Sequence, residues 1–138
     1  MMIAQELRIG NLVEYFGKNL KIDTIKRCSD GNFAVEICEK RPSGCSWSEY
    51  APIESPSLKP IPLTGEWLVK LGFEQMYFLG AKIRYFIKGN LMYSTIDRHV
   101  EYKNGSINFI IRKCEYVHDL QNLYQAMTGE ELTLKTNP

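Results

Sequence analysis

The chain has 138 residues, 44% hydrophobic and 24% charged, a balance that belongs to globular proteins and excludes long disorder. Seventeen basic against sixteen acidic side chains leave a net charge of +1, so no whole-chain field draws it to nucleic acid or lipid. No apolar run approaches the roughly 18 residues of a membrane helix. The start, Met1-Met2-Ile3-Ala4-Gln5-Glu6, lacks the basic and apolar regions of a signal peptide, so cytoplasmic residence without a membrane partner is expected.

Up to Leu58 the chain reads as short strands and turns. Asn11 to Tyr15 is a β-like run that ends in a turn at Phe16-Gly17. Lys21 to Cys28 alternates, with Ile22, Thr24 and Lys26 on one face and Asp23, Ile25 and Arg27 on the other. A turn at Asp30-Gly31-Asn32 leads into a strand that points Phe33, Val35 and Ile37 inward, and Arg41-Pro42-Ser43-Gly44 reads as a loop. Trp47 and Tyr50 are expected to drop back onto this module, and Leu58 with Ile61 makes its last strand. Five short strands in so few residues suit a small, partly open barrel.

Pro52, Pro56, Pro60 and Pro62 mark a hinge, after which the grammar changes. Thr64 is a natural N-cap, with Glu66 at the positive helix end and Gly72 as a left-handed stop. Trp67, Leu68 and Leu71 line one side of that helix. Strands follow over Gln75 to Leu79, Lys82 to Lys88, Leu91 to Ile96, His99 to Lys103 and Ser106 to Arg112. Gly89-Asn90 and Asn104-Gly105 pin their register, the latter as a type I′ turn. Val117, Leu120, Leu123, Tyr124 and Met127 recur at helical spacing, and Gly129 closes that helix, which is expected to pack across the sheet.

Motifs for chemistry are sparse. The chain contains no phosphate loop, dinucleotide fingerprint, nucleophile elbow or zinc-protease helix. His99-Val100-Glu101 has the H-x-E spacing of zinc deaminases but lacks their paired cysteines, and a solvent-facing strand pair explains it. His118-Asp119 opens the last helix without an obvious nucleophile. Cys28, Cys38, Cys45 and Cys114 show no C-x-x-C spacing. Cys28 and Cys38 can face each other across a turn, but structural thiols are the expectation. No catalytic residue, cofactor or metal is assigned.

Charge is less evenly spread than the total suggests. Lys82 to Lys113 carries seven basic and two acidic residues. Lys82, Arg84 and Lys88 share a strand face with Phe86, and Lys103 and Arg112 extend the set. Cations mixed with an aromatic on a sheet hold single-stranded nucleic acid by phosphate contact and base stacking, whereas the plainer reading is a solvated polar face.

Gly10-Asn11-Leu12-Val13 followed by Gly17 resembles the opening of SH3-like and KOW-type barrels, folds whose members bind RNA, DNA, peptides or proteins. Glu6-Leu7-Arg8-Ile9-Gly10-Asn11, then Pro60-Ile61-Pro62-Leu63-Thr64 with Glu66-Trp67-Leu68 and Gly72-Phe73, then Val117-His118, Leu120-Gln121-Asn122-Leu123-Tyr124 and Thr128-Gly129-Glu130-Glu131-Leu132 occur together. In that order they resemble a family of small uncharacterised phage and prophage proteins of gut anaerobic bacteria. That resemblance implies a genomic setting and no mechanism.

The expected architecture is α+β: a small SH3-like barrel over 1–60, then an α+β module over 61–138, or one fused core. The expected function is a non-enzymatic module that contacts a protein partner. Its candidate surfaces are the loops around Lys40 to Trp47 and the helix face bearing His118, Gln121 and Asn122, taken to be that helix's polar side. The alternative is a nucleic-acid binder using Lys82, Arg84, Lys88, Lys103 and Arg112.

Overall fold

Alternating apolar residues between tight turns fold this chain into two antiparallel five-stranded sheets, accompanied by two helices, an α+β architecture. The computed structural model describes residues 7–29, 31–41, 44–76 and 85–134, the side chains of 39–41 and 44–49 excepted. The chain divides into two units, Met1–Ile61 with Tyr116–Asn122, and Pro62–Glu115 with Leu123–Pro138.

The first unit carries β1 (Leu12–Tyr15), β2 (Lys18–Arg27), β3 (Phe33–Arg41), β4 (Gly44–Pro52) and β5 (Leu58–Lys59). They lie in the order β4-β3-β2-β1-β5, an open sheet with β4 and β5 at its edges. Strict alternation in β2 predicts Ile22 and Ile25 on opposite faces. A register shift between Ile22 and Thr24 inserts one residue and turns both toward the core. Val13, Tyr15, Leu20, Ile22, Val35, Ile37, Ala51, Ile53 and Leu58 form that core. Two expectations fail here: Tyr50 is exposed, and residues 44–52 are a full strand paired with β3.

Cysteine placement also differs from expectation. The Cys28 amide donates to the Asn32 carbonyl, whereas Cys38 stands opposite Lys21 and Ser48, so those two cysteines do not face each other. Cys38 is disulfide-bonded, while Cys28 and Cys114 carry thiols.

The second unit begins with α1 (Gly65–Lys70). The Thr64 hydroxyl accepts from the Trp67 amide at 3.3 Å, as its N-cap assignment requires. At the other end the Phe73 amide donates to the Leu68 carbonyl and the Gly72 amide to that of Val69. This paired closure needs a left-handed residue after the cap, which Gly72 supplies at φ 91°. Strands β6 (Glu74–Met76), β7 (Tyr85–Lys88), β8 (Leu91–Ser94), β9 (His99–Asn104) and β10 (Ile107–Lys113) follow in the order β10-β9-β8-β7-β6. Helix α2 (Val117–Thr128) closes on Gly129, and the division between units runs through it.

The type I′ turn expected at Asn104-Gly105 is replaced by a turn one residue later, of the same kind as that at Gly89-Asn90. Only Gly89 and Gly105, the first residue of each turn, have positive φ. That is the signature of a II′ turn, and Asn104 is the last residue of β9.

Register sorts the sheet into two faces. Phe86, Tyr93 and Val100 stand opposite one another on adjacent strands and are all buried. The Tyr93 hydroxyl donates to the Cys114 carbonyl at 3.0 Å. Burial, more than the neighbouring Cys114, pushes the Tyr93 phenol up to about 12. Below the ordinary phenol value near 10, both folded and unfolded chains hold this proton and the stabilisation is complete. Between pH 10 and 12 the unfolded chain ionises first, so stability falls by up to about 2–3 kcal/mol. Alkaline denaturation curves should show this loss in the native chain. Tyr93→Phe should lack it, while costing about 1 kcal/mol at neutral pH through its missing hydrogen bond.

Candidate functional site

Three surfaces were indicated by sequence, and the structure treats each differently. The first is the set His118, Gln121 and Asn122, at helical spacing on α2. His118 and Gln121 are each 2% exposed, so they lie in the interior and not on the polar outer side. Asn122 is half-buried beside them. The Gln121 side chain accepts from the Leu12 amide at 2.8 Å and donates to the Gly10 carbonyl at 3.2 Å. The Asn122 oxygen accepts from the Asn11 side-chain amide at 2.8 Å and from Arg8 Nε at 3.1 Å. Asn11, itself fully buried, accepts the Arg8 amide at 2.6 Å.

These bonds hold the turn that feeds β1. The Asn11 amide closes that turn onto the Arg8 carbonyl, and Gly10, at φ 97°, occupies a left-handed position that a side chain would strain. The His118 ring stacks on that of Tyr116, with centroids 5.8 Å apart, and its Nε2 lies 3.4 Å from the Asp119 carboxylate. Gln121 and Asn122 make a loop anchor with groups more than 100 positions away, while the neighbours of His118 are local.

The second surface is the basic face. Lys82 and Arg84 lie outside the described residues. Phe86 does share a face with Lys88, but it is the buried one, so its ring is not available to stack on a base. Lys88 leans over Tyr124 at 5.8 Å and crowds Gly72. Arg112 stands opposite Val100 and Lys103 opposite Asn108, and the register puts those two pairs on opposite faces. The described cations therefore do not form one surface. The third surface, around Trp47, lies outside the described side chains.

Two further features are visible among the described residues. His99 is flanked by Asp97 and Glu101 at 3.9 and 3.8 Å, and no group of three described side chains is arranged to hold a metal ion. A shallow groove of about 430 Å³ beside α1 is lined by Gly65, Glu66, Val69, Lys70, Gln75 and Phe86.

The most unusual surface was not among the three. Strand β10 is exposed along its whole length, and Ile107, Phe109, Ile110 and Ile111 are 59%, 50%, 68% and 38% exposed. Four large apolar residues in five consecutive positions are exposed, Ile107 and Phe109 on the face they share with Tyr102 and Ile110 on the face it shares with Glu101. Among the described strands β10 is also the end of its sheet, paired with β9 alone. Alternate amides and carbonyls on its outer side therefore have no strand to bond. Lysine, proline or brevity normally blunts such an edge, and here only Arg112 and Lys113, both at one end, do so. A register shift between Ile110 and Arg112 adds a bulge without covering the strand. The signal was present in the sequence as Ile107-Asn108-Phe109-Ile110-Ile111, an apolar run that alternation assigns to a half-buried strand.

A smaller apolar feature is the β1–β2 hairpin tip. Phe16 is exposed and held at φ 50°, a left-handed conformation that bulky residues rarely adopt, with its ring edge-on to Tyr15.

No described helix is long and apolar enough to cross a membrane. Comparison of the chain with protein-family models, curated proteins and solved structures gives no match.

The anchor reading of α2 has a direct consequence for stability. Gln121→Ala strands the Leu12 amide and the Gly10 carbonyl, and should destabilise the fold by about 2–4 kcal/mol in urea denaturation. An exposed surface position would change stability by less than about 0.5 kcal/mol.

Proposed function

We propose that this protein is a non-enzymatic interaction module that makes its contact with protein through the outer edge of β10. The observation that carries this reading is the fully exposed apolar strand, with unpaired backbone groups on one side and Ile107, Phe109, Ile110 and Ile111 on its surface. An added strand supplies hydrogen bonds to those groups and covers those side chains in one step, the physics of β-augmentation. Aligned main-chain bonds give affinity, and the side chains on each face give selectivity.

The first unit is read as an SH3-like barrel. Its support is the strand order β5-β1-β2-β3-β4, with a short β5 that pairs back onto β1 through Tyr15 and Leu58. That scaffold names no partner, so the function rests on the β10 surface. An accessory role of this kind suits the resemblance to small mobile-element proteins. Nucleic-acid binding is the weaker reading, since its described cations fall on different faces and Phe86 is buried.

A photo-crosslinking side chain placed at Asn108, in the cells that naturally carry the protein, tests the reading. Adducts of defined mass should form from that position and not from Tyr50, another exposed site. Ile110→Lys in the same chain should eliminate them and leave the fold intact, because Ile110 is solvent-facing and stands opposite Glu101. Adducts insensitive to Ile110→Lys, or equal yields from Tyr50, would contradict it.

A further inference from the structure

We infer that the segment received by this edge is an extended apolar strand with two consecutive carboxylates at its N-terminal end, where it meets Arg112 and Lys113. The inference rests on the reading of β10 as the contact surface and adds the chemistry of what covers it.

Charge on β10 is confined to one end. Within Ile107–Lys113 the only charged residues are Arg112 and Lys113, and those before them are apolar apart from Asn108. The register with β9 shows how each face is made up. Before the shift at Ile110, Ile107 and Phe109 share the face of Tyr102, while Asn108 and Ile110 share that of Lys103 and Glu101. After it Arg112 stands opposite Val100, on the Tyr102 face, and Lys113 opposite His99, on the Glu101 face. Each face therefore ends in one cation, Arg112 beyond Ile107 and Phe109, Lys113 beyond Asn108 and Ile110.

An added strand has to match that order. Apolar, β-branched side chains pair favourably with Ile107, Phe109 and Ile110, and carboxylates pair favourably with the two cations. One carboxylate is needed on each face, so the two are adjacent in the partner's sequence. Antiparallel pairing is the slightly stronger kind and the direction of every strand pair described in this sheet. It places the carboxylates at the N-terminal end of the incoming strand. Charges one strand further in bear on the same choice. Glu101, behind Ile110, disfavours a carboxylate in the middle of the added strand, while Lys103 lies behind Asn108 at the other end. Glu115 lies 3.3 Å from the Lys113 ammonium, but both side chains are exposed, and such a pair contributes little.

Fluorescence anisotropy with three labelled peptides tests the inference. All share one alternating valine–threonine body. The first begins with Glu-Glu, the second begins with Lys-Lys, and the third carries Glu-Glu at its C-terminal end. At low salt the native chain should bind the first about 10-fold more tightly than the second, since two attractions become two repulsions. It should also prefer the first to the third, and both gaps should narrow as salt rises. Arg112→Glu combined with Lys113→Glu should reverse the preference in favour of the Lys-Lys peptide. Both positions are exposed, and circular dichroism with thermal melting establishes that the double variant folds. Equal binding of all three peptides, a preference for the third, a preference that the double variant leaves unchanged, or no binding of any peptide overturns the inference. The crosslinking adducts from Asn108 separate this failure from that of the wider reading. Adducts without a charge preference among the peptides remove the acidic end but keep β10 as a contact surface. No adduct together with no peptide binding removes both.

Discussion

Backbone amides and carbonyls taken from water must find partners, and in this chain side chains and caps supply several that no neighbouring strand provides. At the start of β1, side chains do the work of a neighbouring strand: Gln121 bonds both the Leu12 amide and the Gly10 carbonyl. At the end of α1, Gly72 takes a left-handed conformation so that the last carbonyls are closed by Gly72 and Phe73 amides. At the start of α2, the Asp119 carboxylate accepts the Tyr116 amide. Among the edge strands with described side chains, β10 exposes the most large apolar residues. Each of these backbone groups is individually ordinary. The combination on β10 is what turns a fold description into a functional one.

The same constraint explains why polar residues in α2 are poor guides to a surface. His118, Gln121 and Asn122 recur at i, i+3 and i+4, the spacing of a solvated stripe. A helix face can be polar because it meets water or because it meets backbone. In this chain it meets the turn Arg8 to Asn11. Local periodicity cannot separate those cases, since the deciding groups lie more than 100 residues upstream. The strands were legible for the opposite reason. Alternation and turn glycines are local, and they locate β2, β3, β7, β8, β9 and β10 to within a few residues. Turn type was less legible, because Asn104 tolerates positive φ but is used here as the last strand residue, leaving Gly105 and Ser106 to form the turn.

Register decided the fate of the basic residues. Lys88, Lys103 and Arg112 look like one set when counted along the chain. Pairing places Lys88 beside the buried Phe86, and the β10 bulge sends Arg112 and Lys103 to opposite faces. A single inserted residue does the same in β2, where it turns both Ile22 and Ile25 inward. Bulges leave no residue signature, so face assignments made by alternation fail beyond them. The apolar run of β10 was visible from the start, but its meaning depended on knowing that the strand ends its sheet. Edge position is a property of topology and not of any one segment.

Amide hydrogen exchange along β10 tests the central claim most directly. A strand that ends its sheet predicts that alternate β10 amides exchange rapidly. Amides of β8, paired on both sides within one chain, should exchange slowly. Protection of every β10 amide as complete as that of β8 would contradict the account.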